Sequence, residues 1–78
     1  MRIRDESSGR ALKSVLIMLT PSEARELADL LQGINPEVGD HLHVSDENLT
    51  REVTIAVYTP ENLRFFSNEV RQLLEAGD

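Results

Sequence analysis

The 78-residue chain contains no cysteine, so neither a disulfide nor a thiolate-bound metal can staple its fold. It lacks any apolar run of about 18 residues, the length a membrane-spanning helix needs. Its start, Met1-Arg2-Ile3-Arg4-Asp5-Glu6, has no apolar stretch of the kind a signal peptide carries. The expectation is a cytoplasmic protein with no membrane partner. Glycine is scarce and isolated, at Gly9, Gly33, Gly39 and Gly77, which leaves no Gly-rich loop to cradle a phosphate. Ser7, Ser8 and Ser14 lack the strand–turn–helix setting of a nucleophile elbow, so no catalytic residue is assigned. Basic residues are few, 8 against 14 acidic ones, and they are scattered over a net charge of −6. Phosphate backbones repel such a surface, so no nucleic-acid partner is expected. The acidity suits a solvated surface first and attraction to a basic protein second.

What the chain does have is a doubled junction. Strand-like apolar runs meet Thr20-Pro21 and, 39 residues later, Thr59-Pro60. Threonine accepts a hydrogen bond at a helix N-cap, and proline suits the first helical position. Each junction therefore reads as strand, cap, helix. At that spacing only Thr20/Thr59, Pro21/Pro60 and Arg25/Arg64 are identical, which is near chance; a duplication and the ordinary repetition of caps in any ββαββα chain both lead to the same topology.

The pattern predicts a single domain over 1–78 with two ββα halves, about 1–39 and 40–78. Arg2–Glu6 and Leu12–Leu19 are the first two strands, turned by Ser7-Ser8-Gly9. Thr20-Pro21-Ser22-Glu23 is a capping box opening a helix that buries Ala24, Leu27, Ala28 and Leu31 and stops at Gly33. A loop over 34–39 leads to strands His41–Ser45 and Glu52–Tyr58, joined by a turn in which Asn48 plays the part of Gly9. The last helix runs from Pro60 to about Glu75 and buries Leu63, Phe66, Val70 and Leu73 or Leu74, ending near Gly77. The two most apolar strands belong at the centre of a sheet. The fold class is thus α+β: a four-stranded sheet of order 1-2-4-3 with both helices on one face, a permuted ferredoxin-like arrangement. Two hairpins exchanged between chains are the alternative.

One sheet face is left without a helix. In the fourth strand Val53, Ile55 and Val57 form the better core set, which turns Thr54, Ala56 and Tyr58 outward. Carried across the repeat, that parity turns Ser14, Leu16 and Met18 inward and leaves Val15, Ile17 and Leu19 outside. Ile3, Leu42 and Val44 face the core, so Arg2, Arg4, His41 and His43 face out. The open face then carries Val15, Ile17, Leu19, Ala56 and Tyr58 between arginine and histidine edges. Each large aliphatic there is worth about 1.5–3 kcal/mol when buried. An apolar patch rimmed by polar groups is an interface, and the expected occupant is a second copy of the chain. With the opposite parity, Leu16 and Met18 face out instead. As an RNA platform the face is poor, because Tyr58 alone would stack a base.

His41-x-His43 sets two imidazoles on one strand face, a spacing that suits a transition metal if Asp40, Asp46 or Glu52 supplies a third ligand. The competing reading is a pair of half-exposed edge histidines. No cofactor is expected. The helix starts at Thr20 and Thr59 could hold an anion, but Glu23 and Glu61 already complement them.

With Leu19-Thr20-Pro21, Glu26-Leu27-Ala28 and His41-Leu42-His43-Val44 in view, residues 16 to 58 resemble the small bacterial immunity proteins of polymorphic toxin systems. That resemblance implies a protein that works by binding a toxin, without catalysis. The sequence reading is a non-enzymatic, homodimeric interaction module with an immunity-like or regulatory role. The alternative is a small-ligand or metal-binding domain that uses the open sheet face and His41/His43.

Overall fold

The computed structural model describes residues 1–75. Gly77, the expected end of the last helix, lies outside the described residues. The chain is α+β, and its elements follow the expected ββαββα order. They are β1 (Ile3–Arg4), β2 (Ala11–Leu12), α1 (Pro21–Gly33), β3 (His41–Ser45), β4 (Glu52–Ala56) and α2 (Asn68–Glu75). Short 3-10 turns occupy Pro36–Val38 and Leu63–Phe65. Two compact units divide them: Met18–Phe65 is one, and Met1–Ile17 with the segment from Phe66 onward is the other. α2 belongs to the unit of the first hairpin.

The hydrogen bonding forms two two-stranded antiparallel sheets, β1-β2 and β3-β4. It does not extend to the four-stranded order 1-2-4-3. The reason is local: β2 ends at Leu12, so the long central strand that the order requires is not made.

In the unit Met18–Phe65, β3 and β4 pair from His41↔Ala56 to Ser45↔Glu52. Leu42 and Val44 are buried, and Val53, Ile55 and Val57 are half-buried on the same side, as the alternation predicts. α1 packs against β3. Its capping box forms as expected: Thr20 Oγ1 accepts from Glu23 N–H at 3.2 Å, and Thr20 N–H donates to Glu23 Oε1 at 2.8 Å. The expected buried stripe is incomplete, however, because Leu27 is half-buried while Ala24, Ala28 and Leu31 stay exposed. A two-stranded sheet is too narrow to cover the whole apolar side of a helix. Gly39 has a left-handed φ of 70°, and a Cβ there would come within 2.7 Å of Phe65 Cβ.

Both hairpins turn on an aspartate, a repeat that differs in spacing from the Thr-Pro junctions. Asp5-Glu6 precedes Arg10 as Asp46-Glu47 precedes Arg51, and each aspartate N–H donates to that arginine's carbonyl, at 2.8 and 3.2 Å. The Asp46 carboxylate also accepts from Thr50 N–H and Oγ1, both at 2.8 Å, and from Arg51 N–H at 3.2 Å. These bonds place the left-handed residue at Leu49 (φ 56°), and not at Asn48 as expected.

The second Thr-Pro junction does not start a helix. Thr59 N–H donates to Asn62 Oδ1 at 2.8 Å and Thr59 Oγ1 accepts from Asn62 N–H at 3.1 Å, which closes a reciprocal turn. Asn62 then spends its Nδ2 on the carbonyls of Pro36 and Val57, at 2.7 and 2.9 Å. Those bonds hold the chain in a 3-10 turn, and α2 begins eight residues beyond Pro60, at Asn68. Its N-cap is Ser67, whose Oγ accepts from Val70 N–H at 3.3 Å. Val70, Leu73 and Leu74 are half-buried, in keeping with the predicted stripe.

Candidate interaction surface

Residues 13–20 carry the central observation. They are rich in β-branched and long aliphatic side chains, yet neither ladder includes them. Among the described residues, no loop or turn backbone bond involves Ser14–Leu19. Their side chains are bare: Val15 is 54%, Leu16 80%, Ile17 48% and Met18 84% exposed. Alternation is present but opposite to the expected parity. Leu16 and Met18 face water most fully, while Val15, Ile17 and the half-buried Leu19 are the less exposed set. The parity borrowed from β4 fails because it assumed a continuous strand from Leu12, and the chain bends at Lys13 instead.

The other residues assigned to the open face are distributed as follows. Ala56 and Tyr58 are exposed, on the outward side of β4 and just beyond it. Arg2 and Arg4 do not face out as expected; both reach α2. Arg2 Nε donates to the Leu73 carbonyl at 3.4 Å, and Arg4 bridges Glu6 and Glu69 at 3.3 and 3.1 Å. The Arg4 side chain is only 20% exposed. A cationic edge strand beside an acidic first turn of α2 explains the inward turn. Of the apolar set, Val15 and Ile17 belong to the first-hairpin unit, and Leu19, Ala56 and Tyr58 to the other.

His41 and His43 do project from the open side of β3, with ring centroids 4.9 Å apart and edge to face. His43 Nδ1 lies 2.9 Å from both Thr54 Oγ1 and Glu52 Oε1 on the paired strand. That contact orients one imidazole. Among the described residues no three His, Cys, Asp or Glu side chains gather around a common cation position. No described helix is long and apolar enough to cross a membrane.

The exposure of Leu16 and Met18 is the opposite-parity outcome, which a run apolar at both parities leaves open. The role of Asn62 has one sequence signal: Asn stands at the fourth position of Thr59-Pro60-Glu61-Asn62, where the first junction has Glu23. No protein family matches the chain, and no curated protein or solved structure is significantly similar to it.

Proposed function

We propose that this chain is a non-enzymatic protein-interaction module that acts as a homodimer, with an immunity-like or regulatory binding role. The observation that carries this reading is the bare apolar run Val15-Leu16-Ile17-Met18. Four such side chains are worth roughly 6 kcal/mol or more when covered, comparable with the whole stability of a small domain. Within the described residues only Leu42 and Val44 are fully buried apolar side chains, so the chain by itself keeps little core. Val15, Ile17 and Leu19, with Leu16 and Met18, form the proposed contact. Arg2 and Arg4 fall outside it, being engaged by α2. A toxin or regulator would then be held by the assembled dimer, and the excess of acidic residues favours a basic partner.

Sedimentation velocity at micromolar concentration tests the reading. A dimer supports it, and a monomer across that range overturns it. The His43–Glu52 contact keeps a metal-binding reading in play. A rise in melting temperature with Zn²⁺, lost in His43→Ala, would favour that reading.

A further inference from the structure

We propose that Ser14–Thr20 is a β-strand formed only between two copies of the chain, paired antiparallel about a two-fold axis at Ile17. The inference deepens the homodimer reading and rests on it. Side chains of this run cannot be covered without also taking their backbone out of water. Buried N–H and C=O groups then require partners, and an extended partner strand supplies them in step. Among the described residues the backbone of Ser14–Leu19 has no such partner within the loops and turns, whereas Thr20 N–H and C=O are taken by Glu23 and Ala24 of α1.

Charge and pattern point to a second copy of the chain as the occupant. The net charge of −6 would oppose self-association if it lay here. Between Arg10 and Glu23, however, Lys13 is the only charged residue.

The run is also self-complementary. With Ile17 on the axis, Leu16 lies opposite Met18 of the second copy, Val15 opposite Leu19, and Ser14 opposite Thr20. Apolar meets apolar and hydroxyl meets hydroxyl throughout. The ladder then stops at Pro21, which has no N–H to donate. Centring on Leu16 would set Ser14 against Met18, and centring on Met18 would set Val15 against Pro21. Leu16 and Met18, the two most exposed side chains of the run, become cross-strand neighbours in the favoured register.

The absence of native cysteine makes single-cysteine variants of the full chain a direct test. In the proposed register residue 17 faces its own copy within the roughly 7 Å Cα separation that a disulfide spans, while residues 16 and 18 do not. Under mild oxidation, Ile17→Cys should run as a cross-linked dimer on a non-reducing gel. Leu16→Cys and Met18→Cys should each stay mostly single, and an equimolar mixture of the two should give the mixed dimer in excess. Wild-type sedimentation separates the two ways of failing. A wild-type dimer in which Ile17→Cys does not cross-link, or Leu16→Cys cross-links with itself at least as well, overturns the register and spares the homodimer. A wild-type monomer removes both.

Discussion

Asn62 is 1% exposed; its side-chain amide meets three backbone partners, Thr59 N–H and the Pro36 and Val57 carbonyls, while its backbone N–H donates to the Thr59 hydroxyl. Its removal leaves the Pro36 and Val57 carbonyls without their donor. Asn62→Ala should therefore cost about 3 kcal/mol, read as a lower urea midpoint with an unchanged slope. Leu49 poses the opposite case. It holds φ at 56° while its side chain sits 80% in water, so it has backbone strain and little burial to offset it. Leu49→Gly should raise stability by up to about 1 kcal/mol in the same assay. Thr59-Pro60 shows where reading single residues falls short. Thr20 and Thr59 are equally good caps, but a helix follows only where Glu23 serves the junction alone. Asn62 answers to Pro36, 26 positions away, and no local pattern carries that.

At the scale of elements, the two hairpins are built alike and hold their turns through a carboxylate. Asp5 is held below the ordinary carboxylate range chiefly by the Ser7 N–H, then by the Ser8 hydroxyl and N–H. Asp46 is drawn down to about 2 from an ordinary 3.8, first by the Thr50 hydroxyl and then by the Thr50 N–H, with Arg51 adding to both. A group with a lowered folded value binds fewer protons when folded than when unfolded. Its stabilisation is full above about pH 4 and disappears as the pH falls toward about 2. Asp46→Asn should flatten the acid limb of a melting-temperature profile across that window and leave its neutral plateau lower. The turns themselves were legible as turns, because Asp, Ser, Gly and Asn cluster there. The alternation of β3 and β4 was legible too, since His41-Leu42-His43-Val44 assigns two faces without ambiguity. Leu12–Leu19 was not, because five consecutive aliphatics offer no polar residue to mark a face.

For the molecule as a whole, the balance between core and bare apolar surface governs behaviour. A fold completed by a second copy has a melting temperature that depends on concentration. Dilution from about 100 μM to about 1 μM should lower the wild-type melting temperature, and Leu16→Asp with Met18→Asp should abolish that dependence by placing like charges in the contact. Calorimetry at the two concentrations reads both outcomes. By itself the sequence determined the α+β class, the ββαββα order, the first capping box and the inward faces of β3 and β4. All of these depend on residues within one or two turns of each other. Tertiary structure alone decided that Asn62 would halt the second helix start, that Arg2 and Arg4 would turn to α2, and that the apolar run after β2 would lie unpaired. Those outcomes depend on hydrogen-bond partners distant in the chain, or on strand partners that the run's own neighbours do not provide.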